Sequence, residues 1–186
     1  MLAYTPRNEE LTVSKIKNFE ELMHHQIADL VSAEEQLIEA LPEMVKAAAD
    51  KQLKKAFQDH LKETKEQLKR LERVRQELGM KESERATCKA MKGLIAEGSE
   101  AIKNVEPGPV LDAALIGAAQ RVEHYEIAAY GTARCHAGMC GLKTVVELLQ
   151  ATLDEEGNAN KLLTKIAEGT VNQEAINEQT AAAAKK

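Results

Sequence analysis

The 186-residue chain has no tryptophan, only 3% aromatic residues, four prolines and three cysteines. So few rings leave no platform on which unpaired bases could stack, and a formal net charge of −5 supplies no basic face for a phosphate backbone. Nucleic-acid binding is therefore not expected. No stretch reaches the roughly 18 consecutive apolar residues of a membrane span, so no membrane partner is expected either. The first ten residues carry acids and no apolar core, unlike a secretion signal. Cys88, Cys135 and Cys140 form an odd set, which reads as reduced thiols in a cytoplasmic protein. The alternative for Cys135, His136 and Cys140 is a small metal site, although no second ligand pair follows it.

No strand-like alternation is present, while helical patterning is abundant. Residues 1–17 read as a polar leader. Asn18 and Glu21 then form a capping-box pattern ahead of Leu22, Met23, Ile27, Leu30, Val31, Leu37, Ile38 and Leu41 at helical spacing. Pro42 is expected to kink or interrupt that helix. A second helix is expected from Lys51 to Leu78, ended by Gly79, and at ~1.5 Å per residue it is long enough for a four-helix bundle. Residues 80–104 form a connector with its own amphipathic helix. Pro109 starts a third long helix that ends near Gly141. Thr144 and Glu147 suggest a second capping box, opening a fourth helix through Ala167 that stops at Gly169. From Thr170 a loose polar tail is expected, which makes residues 18–169 the folded unit. Four long helices with one long crossover between the second and third fit an all-α, four-helix bundle.

Carboxylates stand where apolar side chains belong. Glu34 continues the series Ile27, Leu30, Leu37 and Leu41. Glu63 lies with His60 and Gln67 along the edge of the second helix's apolar stripe. Glu123 and Glu126, three apart, share one side of the most apolar helix, and Glu156 falls in line with Val145, Leu149, Thr152 and Leu163. Any one of these could reach water along a stripe edge. Converging in one core layer, they would repel each other and hold protons unless cations were present. Two divalent metals held by glutamates from all four helices resolve the conflict, and hard carboxylates suit iron or manganese.

The elements Ser32 to Leu37, His60 to Thr64 with Gln67, Val122 to Ile127 with Tyr130, and Leu153 to Glu156 occur in an order and spacing similar to the YciF/YciE-type family, ferritin-like bacterial stress-associated proteins of no established activity. The resemblance implies a ferritin-like bundle, a homodimer and a rubrerythrin-like di-iron site, with Glu34, Glu63, Glu123, Glu126 and Glu156 as metal ligands. It also implies Glu-x-x-His on the second and fourth helices, where this chain has Glu66 and Ala159. His60 or His124 could substitute for the missing imidazoles, and Gln67, Tyr125 and Tyr130 could support the ligands. Two functions follow as expectations. One is a di-metal protein that handles peroxide, O₂ or iron under stress. The other is a non-catalytic helical dimer whose glutamates bind metal weakly or not at all.

Overall fold

In a computed structural model, which describes residues 15–183, every regular element is helical. These are α1 (Phe19–Ala47), α2 (Lys51–Glu77), α3 (Lys89–Asn104), α4 (Pro109–Met139), α5 (Lys143–Ile166) and α6 (Asn172–Ala183). A π-helical turn, Ala167–Val171, joins the last two. The polar leader lies almost wholly outside the described residues.

Local chemistry sets most of the ends. The Asn18 side chain accepts the Glu21 amide at 2.8 Å, a cap that contributes about 1 kcal/mol. Asp50 caps α2 in the same way, accepting from Gln52 and Leu53 at 2.8 Å each. Pro109 stands in the first turn of α4, where its missing N–H costs nothing. Gly79 and Gly141, with φ of 66° and 71°, turn the chain out of α2 and α4 in the left-handed conformation that glycine adopts without penalty.

Three local expectations are corrected. Pro42 does not interrupt α1; it sits on the exposed face, where water can replace the amide it lacks, while Leu37 and Leu41 anchor the helix on the other side. The capping box at Thr144 does not form, because α5 already begins at Lys143 and uses no side-chain cap. Gly169 does not stop the chain: helix continues through it to Ala183, and α6 packs on α4. Val171 is fully buried and Ile166 nearly so. Burying a valine is worth ~1.5–3 kcal/mol, more than the ~1 kcal/mol that a glycine costs inside a helix.

The four long helices pack side by side, α1 on α2 and α4, and α5 on α2 and α4. Two apolar clusters reveal their directions. One joins Leu37, Leu41, Leu53, Phe57, Leu111, Leu115, Leu163 and Ile166. The other joins Met23, Ile27, Leu71, Val74, Tyr130, Ala133, Val145 and Leu149. Thus α1 and α5 run one way and α2 and α4 the other. Because α2 ends at one end of the bundle and α4 starts at the opposite end, the connection must travel its full length. α3 does so while lying against α4 and α1. Asp112, nearly buried on α4, accepts the Ala49 and Asp50 amides at 2.8 Å each and ties the α1–α2 turn to the third long helix. The stretch of each long helix between the two clusters is polar.

Candidate metal centre

That polar waist is built from one register of each helix. α1 contributes Glu34, between Val31 and Leu37. α2 contributes His60, Thr64 and Gln67, between Phe57 and Leu71. α4 contributes Glu123 and Glu126, and α5 contributes Thr152 and Glu156. Glu34 and Glu156 are fully inaccessible, Glu126 is 1% and Glu123 2% exposed, and His60 is 8% exposed. Ligand atoms of His60, Glu123, Glu126 and Glu156 all lie within 4.8 Å of one another. His60 Nε2 is 3.5 Å from Glu123 Oε1.

Four carboxyl groups share this volume, and their hydrogen bonds do not suffice. Tyr130, itself fully buried, donates its hydroxyl to Glu34 Oε1. Gln67 donates to Glu156 Oε1 and, at 3.1 Å, to Glu155 Oε2. The outer side of Glu155 is gripped by both nitrogens of the Arg70 fork at 2.9 Å, and Arg70 also reaches Thr152 at 2.6 Å. Left over in this layer are Glu34 Oε2, Glu123 Oε2, both oxygens of Glu126, Glu156 Oε2, Gln67 Oε1 and His60 Nδ1, each buried with no hydrogen-bond partner. Buried polar atoms are almost always satisfied, and each orphan costs about 1–3 kcal/mol.

Electrostatics agree. Burial raises the Glu34 carboxyl to about 7, although the Tyr130 hydrogen bond and the facing His60 partly oppose it. Burial, with the neighbouring Glu34 and Glu123 charges, holds Glu126 well above the carboxylate range. Burial again, with Glu126 and Glu123, does the same to Glu156. For His60 burial works toward the neutral ring, but Glu123, Glu63 and Glu34 together outweigh it and raise its pKa. Without a cation, burial and mutual repulsion favour the protonated forms of Glu34, Glu126 and Glu156.

The donor set, one imidazole nitrogen among carboxylate oxygens, could hold a divalent transition-metal ion. Of the residues expected from the sequence, Glu123, Glu126 and Glu156 come together and Glu34 adjoins them. Glu63 does not join: its side chain is 50% exposed, and its Oε2 stands 3.8 Å from His60 Nδ1, too far for a hydrogen bond. The inward position on α2 belongs to His60. His124 is exposed on the opposite side of α4. Tyr125 points away from the cluster, donating to Asp29 at 2.6 Å and meeting Cys88 Sγ at 2.9 Å. Cys135 and Cys140 are exposed free thiols, and His136 is bonded to Gln26 rather than to either of them. Asp112 and the Arg70–Glu155 pair were not expected. Their spacing carries no signal, because each acts on a partner distant in sequence.

Comparison with known proteins adds the following. The family described as a domain of unknown function (DUF892) matches residues 18–176. Protein YciF of Escherichia coli (strain K12) is 41% identical over 162 residues, covering 87% of this chain and 98% of that one. The crystal structure of the E. coli stress protein YciF superposes with a TM-score of 0.81 at 42% identity, covering 84% of this chain and 99% of that one. The Rhodopseudomonas palustris protein YcfI gives a TM-score of 0.77 at 38% identity, covering 88% and 99%. A Xanthomonas campestris protein, at 19% identity and a TM-score of 0.66, covers 87% and 99% and shares the fold.

Proposed function

The chain belongs to the YciF-type DUF892 family, and from that premise we propose that it is a ferritin-like, stress-associated protein whose polar waist holds two divalent metal ions, iron first and manganese second. The observation that carries this reading is the set of five buried carboxylate oxygens without partners, contributed by α1, α4 and α5 around a single imidazole. Four buried glutamates, Glu34, Glu123, Glu126 and Glu156, match the four positive charges of two divalent ions, so the filled layer would be close to neutral.

In this reading His60, Glu123, Glu126 and Glu156 bind directly and Glu34 completes the site. Glu63 takes an outer role at the rim, where its carboxylate faces His60 Nδ1 and favours the tautomer that leaves Nε2 free to ligate. Gln67 and Tyr130 orient Glu156 and Glu34 by donating to one oxygen of each, which leaves the other oxygen for metal. Ala159 stands where the family resemblance expects a histidine, so α5 offers Glu156 alone. Iron bound here would supply reversible one-electron chemistry toward peroxide or O₂. The apolar clusters above and below the layer exclude bulk water from these groups. The homodimer and the cytoplasmic location expected from the resemblance belong to the same proposal; no helix among the described residues is long and apolar enough to cross a membrane.

Metal analysis of protein reconstituted with iron(II) or manganese(II) tests the reading. Two ions per chain are expected. A ratio clearly below one for iron, manganese and zinc alike would sink it and favour a non-catalytic helical protein.

A further inference from the structure

Beside the metal cluster a pocket of about 260 Å³ opens between α2 and α5. Its walls are Leu37, Leu41, Phe57, Val122 and Leu163, and its inner surface includes His60 and Glu123. Asp59, Glu63 and Glu155 line it too, each with a substantially exposed side chain that marks the mouth. Ala56 on α2 and Ala159 on α5 both line it, and side chains this small leave the space open. Water alone is a poor occupant: aliphatic and aromatic walls offer it few partners, and apolar cavities of this kind take apolar molecules instead. At the ~30 Å³ that a water or methylene-sized group claims, the space admits roughly nine such groups.

The rim decides the charge of the guest. No lysine or arginine lines the pocket. The nearby cations are already engaged, Lys55 and Lys62 by Asp59 and Arg70 by Glu155. An aliphatic carboxylate or phosphate would therefore meet three rim carboxylates and no lysine or arginine. An uncharged apolar molecule with a single polar end fits, its polar end directed to His60 and Glu123.

We infer that this pocket binds the apolar body of an organic hydroperoxide and delivers its O–O end to the metal cluster, making an alkyl or aryl hydroperoxide, rather than hydrogen peroxide, the preferred oxidant. The inference rests on the metal-centre reading above and names the substrate class of that same site. The step balances as ROOH + 2 e⁻ + 2 H⁺ giving ROH and H₂O. The O–O bond would break, with the two electrons supplied by the two ferrous ions of the proposed centre, one from each, and the protons by solvent. The alcohol product leaves by the same apolar route.

The test separates pocket from metal. 2-Phenyl-2-propanol, the redox-inert alcohol of cumene hydroperoxide, is titrated calorimetrically into the metal-free full-length chain, with hexanoate as the anionic control. Saturable binding of the alcohol but not of hexanoate is expected. Ala159→Phe and, from the opposite wall, Ala56→Phe should each weaken it at least tenfold while circular dichroism confirms the fold. In iron(II)-loaded wild-type protein, single-turnover oxidation of the bound iron should be faster with cumene hydroperoxide than with hydrogen peroxide at the same low concentration, and Ala159→Phe should abolish that preference. Absence of saturable alcohol binding, or binding unaltered in both variants, overturns the inference even if two metals bind. Alcohol binding in a chain that takes up no metal instead removes the metal-centre reading, and the hydroperoxide step with it.

Discussion

Replacing Glu126 by methionine should make the metal-free protein more stable, against the usual sign of a core substitution. Both carboxylate oxygens of Glu126 are buried without a hydrogen-bond partner, and the side chain is 1% exposed. Methionine keeps the unbranched shape and helix propensity but carries no group that needs a partner. Removing two orphaned acceptors, at about 1–3 kcal/mol each and allowing for imperfect packing, gives a gain of about 2–4 kcal/mol. For a chain of this size that is a rise of roughly 4–16 °C in melting temperature. The gain should also depend on pH. Glu34 is held at about 7 and Glu126 and Glu156 are held above their ordinary value of 4.5. The folded protein therefore keeps protons that the unfolded chain has released. The stability contributed by these groups is fully present below about pH 4.5 and is lost as pH rises through about 7 and beyond. Glu126→Met should widen its lead over the wild type from about pH 5 to about pH 8. Thermal melts in chelator at those two pH values provide the measurement, repeated with manganese(II). A metal at a hundred times its dissociation constant adds about 2.7 kcal/mol to the wild type. It should add far less to the variant. A variant less stable than wild type in chelator at the higher pH, or one that keeps the full metal-induced rise, would refute the placement of Glu126 in the centre.

Further outcomes follow from the same geometry. His60→Ala should lower the bound metal from the proposed two ions to one or fewer per chain, read by elemental analysis of the reconstituted protein, because His60 is the member of the ligand cluster that α2 supplies. Glu63→Gln should leave that ratio unchanged and weaken affinity by about tenfold at most, as expected of an orienting partner; a lost ion would make Glu63 a ligand. Tyr130→Phe removes the donor to Glu34 and leaves that carboxyl with no partner, costing about 1–3 kcal/mol in chemical denaturation of the metal-free protein. Asp112→Ala strips two amide hydrogen bonds from the α1–α2 turn and should cost about 2–4 kcal/mol by the same assay, with no change in metal content.

Much of the site was legible because a helix converts sequence spacing into direction. Glu34, Glu123, Glu126 and Glu156 each continue an apolar series at intervals of three and four, and all four are buried. On α2 the spacing is less decisive. Its inner face runs Leu53, Phe57, His60, Thr64, Gln67, Leu71 and Val74, alternating steps of four and three. Glu63 lies only three residues beyond His60, so the spacing sets both at the edge of that stripe, and the family resemblance favours Glu63. Only the packing of α2 against α1 and α5 selects one.

The helix ends divide along similar lines. The side-chain caps at Asn18 and Asp50, and the turns at Gly79 and Gly141, are satisfied within a few residues, so local sequence suffices. Gly169 is a local stop signal overruled by burial of Ile166 and Val171 against the rest of the bundle, which no local pattern contains.

The sequence by itself determined the all-helical class, the four long helices, the long crossover and the presence of acids on inward faces, because periodicity and capping act over neighbouring residues. The tertiary structure alone decided that those acids meet in one layer, that His60 rather than Glu63 joins them, that five of their oxygens find no partner, and that a pocket opens at Ala56 and Ala159. Each of these depends on how four helices are placed against one another, and no single helix carries that information.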